Sequence, residues 1–180
     1  MQVQTTSSDG LIIINPMVFK DKRGYFYESY NRIQFSNLGI QEEFVQDNES
    51  KSQQNVLRGL HFQSPPHGQA KLVRVIKGMV KDVVLDLRKA SPTFGKHYAF
   101  ELSEENKLML LIPEGFAHGF VTLRDNTIFS YKCSRPYNPT SERTIKWDDE
   151  DININWGIKN PIVSNKDENG ESFKTFISPF

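Results

Sequence analysis

Short alternating runs of β-branched and aromatic residues, separated by turns, dominate this chain and leave little of it for helix. Leu11 to Ile14, Tyr25 to Tyr30, Phe44 to Asn48, Val56 to Gln63, Lys71 to Ile76 and Met79 to Leu87 read as strands. So do His97 to Leu102, Leu108 to Ile112, Phe120 to Leu123, Thr127 to Ser134 and Arg143 to Trp147, on their length and two-residue period. Lys77-Gly78 predicts a tight hairpin between two of them. Helix is suggested only at Asn31 to Leu38 and in one turn over Ser103 to Lys107, which opens on a capping serine. An α/β fold needs amphipathic segments of about 10–15 residues between its strands, and these are missing. The pattern therefore predicts an all-β sandwich or barrel.

A chain of 180 residues is expected to form a single domain spanning 1–180. At that length about 70% of the unfolded surface can be buried without disulfide staples. The single cysteine, Cys133, forbids an intrachain disulfide and argues against a thiolate metal cluster. Lys plus Arg and Asp plus Glu are both 22, so the net charge is zero, a poor match to nucleic acid or an anionic membrane surface. No stretch approaches the ~18 apolar residues of a membrane span. The opening MQVQTTSSDG lacks the pattern of a signal peptide, so a cytoplasmic location is expected. From Asp151 to Phe180 the chain is polar and is expected to wrap as an irregular arm, anchored by Trp156, Ile162, Phe173, Phe176 and Phe180.

Three clusters carry residues able to do chemistry: Arg58-Gly59-Leu60-His61-Phe62-Gln63 with the later Lys71, Pro113-Glu114-Gly115-Phe116-Ala117-His118, and Tyr131-Lys132. Lys166-Asp167 is a late candidate to join them. Alternation puts His61 and Gln63 on one strand face, and Tyr131 in row with Phe129 and Cys133. In a barrel His61, Gln63 and Lys71 then share a cavity. Arg58 and His61, three apart, face opposite ways unless Gly59 sits in a bulge. Taken singly, each of these residues has a plainer reading. A strand histidine is more often structural, a lone lysine a solvated edge, a lone tyrosine core, and Lys166-Asp167 a surface pair.

Pro113-x-Gly115-x-x-His118 resembles the second motif of cupins, in which the histidine binds metal. The first motif is broken, because Gln63 stands where a second histidine belongs and no carboxylate lies six residues before Gly78. Lys71 adds a cation that opposes a divalent ion. A metal-binding cupin is therefore a minor alternative. Without metal, His, Lys and Tyr in one pocket suit removal of a proton next to a ketone. His61 is the candidate base, Asp167 a carboxylate to orient its ring, and Lys71 the cation for the enolate oxygen. Tyr131 would return a proton from the opposite side, as inversion of a carbon centre requires.

The chain resembles the dTDP-4-dehydrorhamnose 3,5-epimerases almost end to end. The resemblance rests on Phe19-Lys20-Asp21-Lys22-Arg23-Gly24-Tyr25-Phe26-Tyr27-Glu28, Gln46 to Ser52, Val56 to Gln63, Gln69 to Val75, Ser91-Pro92-Thr93-Phe94-Gly95, Ile112 to Phe120 and Tyr131-Lys132. It implies a double-stranded β-helix, or jelly roll, working as a homodimer without metal or cofactor on a dTDP-4-keto-6-deoxy sugar. It also implies His61 as base held by Asp167, Tyr131 as proton donor and Lys71 near the C4 oxygen. Arg23, Arg58 and Lys166 fall at positions that bind the diphosphate or sugar, while Glu28, Gln46, Asp47, Asn48, His118 and Glu142 match other substrate contacts. Gln63 joins them as a pocket residue, and Phe26 is a candidate to stack on thymine. In the family, Arg23 and Glu28 reach into the partner's pocket. One departure is Trp156-Gly157-Ile158-Lys159-Asn160-Pro161, where many members have proline directly after the tryptophan. Two further readings stay open here: an epimerase of a single centre, C3 or C5, and a non-catalytic sugar-nucleotide binding module.

Overall fold

The computed structural model describes residues 1–180. In chain order its elements are β1 (Gln2–Thr5), β2 (Ile12–Asn15), β3 (Phe19–Asp21), β4 (Gly24–Phe26), α1 (Arg32–Asn37), β5 (Gln46–Ser52), β6 (Leu57–Gln63) and β7 (Lys71–Lys77). They continue with β8 (Met79–Asp86), β9 (His97–Ser103), β10 (Met109–Ile112), β11 (Phe116–Thr122), β12 (Thr127–Cys133), β13 (Glu142–Thr144) and α2 (Asn165–Glu168). A six-stranded sheet runs β1-β2-β10-β7-β12-β5 and a five-stranded sheet runs β13-β6-β11-β8-β9. All pairings within these sheets are antiparallel. The two sheets face each other as a cupin-like jelly roll, as the strand pattern predicts.

Side-chain alternation divides the apolar residues among three layers. Between the sheets lie Val73, Val75, Val80, Val84, Leu110, Phe120 and Phe129. On the outside of the six-stranded sheet, Met109 and Leu111 point the other way from Leu110 and Ile112 and meet Phe35 and Ile40. Phe35 is delivered by α1, whose start is capped by the Asn31 carboxamide oxygen accepting from the Ile33 and Gln34 amides (3.1 and 3.2 Å). On the outside of the five-stranded sheet, Leu60, Phe62, Val83 and Leu85 pack beneath Trp156, Phe173, Phe176 and Phe180. Covering both faces explains why β11 is buried at every position and why strict alternation is hard to see in it.

The arm from Asp151 onward wraps as expected, with one exception. Ile162 is 54% exposed, and its tie to the body is backbone pairing with Val56 instead of side-chain burial. Several expected elements differ as well. Lys77-Gly78 is no hairpin, because β7 and β8 belong to different sheets. Gly78 (φ +83°) turns the corner where a Cβ would lie 2.3 Å from Thr127 Oγ1. The run read from Tyr25 to Tyr30 ends at Phe26 and pairs with β3 in a separate two-stranded ribbon. Edge strand β1, strand β3 and helix α2 have no apolar period to announce them. The strand read from Phe120 to Leu123 begins earlier, at Phe116, directly after a turn at Glu114-Gly115.

Candidate active site

Strands β6, β7, β11, β12 and β13 converge on one cavity of about 210 Å³, lined among others by Arg58, His61, Lys71, His118, Tyr131 and Glu142. The parity conflict between Arg58 and His61 is resolved by a bulge. Arg58 pairs with Phe120 and His61 with His118, so three steps on β6 span two on β11. Gly59 takes φ +136°, and a Cβ there would stand 2.4 Å from the Cα of Gly119. The two glycines let β6 and β11 approach closely enough for Arg58 and His61 to share the cavity.

His61 Nε2 is hydrogen-bonded to Asp167 Oδ1. Asp167 is 2% exposed and rides on α2, where Ser164 caps the turn by accepting from the Asp167 amide at 3.2 Å. Burial pushes the His61 imidazolium below its ordinary range, although Asp167 opposes this, and Lys166 and Lys71 push further down. Burial also pushes the Asp167 carboxyl up, but hydrogen bonds with His61, Ser164 and the Gly59 backbone outweigh it and hold Asp167 below the usual carboxylate range. The result is a neutral imidazole backed by a carboxylate, the arrangement of an oriented general base.

Lys71 and Tyr131 are diagonal neighbours on the inner face, since Lys71 pairs with Cys133 and Val73 with Tyr131. Burial lowers the Lys71 ammonium from its usual range, against Cys133, Asp82 and Glu142. Burial likewise raises the Tyr131 phenol, against the pull of Arg58, so the phenol keeps its proton. Lys71 and Tyr131 both line the cavity. Arg58 donates to Ser52 Oγ through Nε and an Nη, both at 3.2 Å. Lys166 reaches Glu142 at 2.5 Å, and the other Glu142 oxygen accepts from the Tyr137 hydroxyl at 2.9 Å.

Gln46 and Asn48 face inward on β5 and line a smaller adjoining space of about 110 Å³ with His61, Lys71 and Tyr131. Asp47 alternates to the outer face, where it pairs with Lys132 at 2.8 Å. Its side chain therefore stands outside the cavity expected for it, a consequence of strand parity. Gln63 borders the adjoining space, but its amide serves the fold. It donates to the His67 and Pro136 carbonyls (2.7 and 3.3 Å) and accepts from the Asn138 amide at 2.7 Å, holding together the loops that edge the site. Arg23, Phe26 and Glu28 are not brought to this cavity by their own chain. Arg23 sits on the exposed ribbon against Asp21, Phe26 is 65% exposed, and Glu28 accepts from Asn31 at 3.0 Å and from Gln34.

Sequence reasoning missed Ser50, Tyr137 and Asp82. Ser50 was within reach, since it keeps the two-residue phase of Gln46 and Asn48. Tyr137 lies in an aperiodic loop, and Asp82 is masked by the apolar run around it. No three His, Cys, Asp or Glu side chains converge as a metal-ligand set, and no helix is long and apolar enough to cross a membrane.

Comparison with known proteins agrees with this geometry. Residues 5–175 match the family described as dTDP-4-dehydrorhamnose 3,5-epimerase. The enzyme of that name from Shigella flexneri is 51% identical over 174 residues, 96% of each chain. The crystal structure of the Elizabethkingia anophelis dTDP-4-dehydrorhamnose 3,5-epimerase superposes with a TM-score of 0.92 at 51% identity, covering 97% of both chains. The dTDP-6-deoxy-D-glucose-3,5-epimerase of Legionella pneumophila, solved with dTDP-4-keto-L-rhamnose, gives 0.93 at 43% identity, covering 98% of this chain and 94% of its own. A cavity lined by His61, Lys71 and Tyr131 in a jelly roll, matched over nearly the whole chain by these enzymes, places the protein among the isomerases: it belongs to the dTDP-4-dehydrorhamnose 3,5-epimerase family.

Proposed function

We propose that this epimerase of dTDP-L-rhamnose biosynthesis inverts C3 and C5 of dTDP-4-dehydro-6-deoxy-D-glucose with His61 as base and Tyr131 as acid. The observation that carries the reading is the convergence of His61, Lys71 and Tyr131 on one cavity, with Asp167 behind the imidazole. The His61 nitrogen turned away from Asp167 takes the proton from a carbon next to the C4 ketone. The electron pair left by that C–H bond moves into the enolate, whose oxygen Lys71 neutralises. The Tyr131 hydroxyl then gives its proton to the same carbon from the other face, and solvent restores both groups. No electron acceptor is consumed in this cycle.

Arg58 and Lys166 border the same space and supply the positive charge that a diphosphate requires. His118, Glu142, Gln46 and Asn48 line its walls as sugar contacts. The ribbon carrying Arg23 and Phe26 stands clear of its own cavity, with Phe19 58%, Tyr25 56% and Phe26 65% exposed. An apolar ribbon of this kind seeks a partner. The reading assigns it to the pocket of a second copy in a homodimer, where Arg23 and Glu28 contact the nucleotide sugar and Phe26 stacks on thymine. The whole of 1–180 acts as one unit, and the one buried, unpaired cysteine suits the reducing cytoplasm.

Incubation with dTDP-4-dehydro-6-deoxy-D-glucose in deuterated water, followed by NMR, tests the reaction. Deuterium at both C3 and C5 of a dTDP-4-dehydro-L-rhamnose product is expected. Deuterium at one carbon alone reveals a single-centre epimerase, and none at either carbon overturns the enzymatic reading.

A further inference from the structure

Asp82 belongs to no substrate-contacting set, yet it is buried to 0% exposure on the inner face of β8, between the core residues Val80 and Val84. A carboxylate in an apolar layer is costly unless it is paired. Its Oδ2 is 2.9 Å from His118 Nε2, while its Oδ1 has no hydrogen-bond partner at all. Buried polar atoms left unpaired are rare in folded proteins and call for a reason. Burial pushes the Asp82 carboxyl above its ordinary range, and the groups that oppose this are His118, beside it on the same sheet, and Lys71, facing it from the opposite sheet. His118 lies flat against Phe129 (24° between planes, centroids 6.0 Å apart) and makes no hydrogen bond besides that to Asp82. Asp82 is therefore the one hydrogen-bond partner that fixes its orientation in the cavity wall.

From this placement we propose that Asp82 is a positioning residue of the site: a buried carboxylate behind the cavity wall that fixes the His118 ring and stands across the sandwich from Lys71 as its counter-charge. The proposal rests on the role given above to Lys71, because only a charged Lys71 can neutralise an enolate oxygen. Burial alone drives that ammonium toward the neutral amine. The titratable and charged groups around Lys71 are Cys133 and Tyr131 on β12, Asp82 on β8, Glu142 on β13, Arg58 and His61 on β6, His118 on β11 and Lys166 on α2. Glu142 is already bound to Lys166 and Tyr137. Cys133, a buried thiol whose burial keeps it protonated, brings no charge at neutral pH. Asp82 is the acidic group left to balance Lys71.

The test is Asp82→Asn, which preserves shape and removes charge. In the folded variant the alkaline limb of the kcat/KM profile is expected to move to lower pH by about one unit or more, the scale set by losing a nearby opposite charge. The affinity for dTDP should be unchanged. A role in folding alone would lower the melting temperature without moving that limb, and an unmoved limb overturns the proposal. Should the variant fail to fold, ¹³C-lysine NMR of the wild-type protein still decides, with Lys71→Met identifying the resonance. A Lys71 signal charged at pH 7 is expected, and a neutral one overturns the proposal. That resonance reads the protonation of Lys71 even if Lys71 proves dispensable for epimerisation, so the two readings fail separately.

Discussion

His61 and His118 stand directly opposite each other on neighbouring strands, and each directs Nε2 to a buried carboxylate, Asp167 for the first and Asp82 for the second. The pairs differ in setting. Asp167 arrives from the C-terminal arm on the single turn of α2 and leaves His61 open to the cavity it shares with Lys71 and Tyr131. Asp82 comes from the inner face of the sandwich and leaves His118 enclosed. The first geometry suits a base that must meet substrate, and the second a wall held in place.

Replacing Asp167 by Asn should lower kcat by about 10²–10⁴-fold, the scale of an oriented general base, with dTDP affinity retained. Its effect on pH dependence has a definite sign. Only unprotonated His61 can act, so kcat/KM falls as pH drops through the His61 pKa, already held below the ordinary range by burial. Asp167 raises that pKa, so its loss moves the acid limb to still lower pH. A pH–rate profile of the variant checks this, and an acid limb that moves upward refutes the dyad.

Gly59→Ala tests the bulge. The new Cβ meets the Gly119 backbone at 2.4 Å, at a φ that side chains rarely adopt. A loss of about 2–4 kcal/mol is expected from strain and overpacking combined, measurable by denaturant unfolding. Activity should fall more than stability accounts for, since Arg58 and His61 lose their common side.

Replacing Arg58 or Lys166 by a neutral residue should raise KM far more than it lowers kcat, because these side chains are assigned to the diphosphate and not to the reacting carbons. Steady-state kinetics on each variant decides, and an unchanged KM in both removes the diphosphate assignment.

A structural carboxylate gives a different pH signature. Asp86 is buried and accepts from Arg88 (2.9 and 2.7 Å), Ser91 (2.7 Å) and Thr93 (2.6 Å). Burial alone would raise its pKa, but these bonds outweigh it and hold Asp86 far below the carboxylate range. A depressed carboxyl contributes stability that is present above its unfolded value of about 3.9 and is lost as pH falls below it. Asp86→Asn should therefore cost about 3 kcal/mol at neutral pH and flatten the stability loss between roughly pH 4 and 2. Thermal melts across that range measure both.

Much of this architecture was legible because strands announce themselves by period. Lys71 to Lys77 and Thr127 to Cys133 carry their inner and outer faces in plain alternation, and so place Lys71 and Tyr131 on one side. What escaped reading depends on contacts distant in sequence. Gly78 passes for a hairpin glycine until Thr127 closes over it from another sheet. Asp47 and Asn48 look equally suited to a ligand, and only the inward phase of β5 separates them. Gln63 looks like a pocket amide until the loop around Pro136 and Asn138 claims both of its ends. The single residue slipped in at Gly59 was visible only as a conflict between Arg58 and His61, and its resolution needed the register of β11.

The central claim is that acid and base flank the sugar on opposite faces, and the most direct measurement is the fate of substrate with Tyr131→Phe in deuterated water. His61 can still remove a proton and return a solvent deuteron to the same face, so substrate deuterated next to the ketone with its configuration retained is expected by NMR. Normal turnover to the doubly inverted sugar by that variant would contradict it.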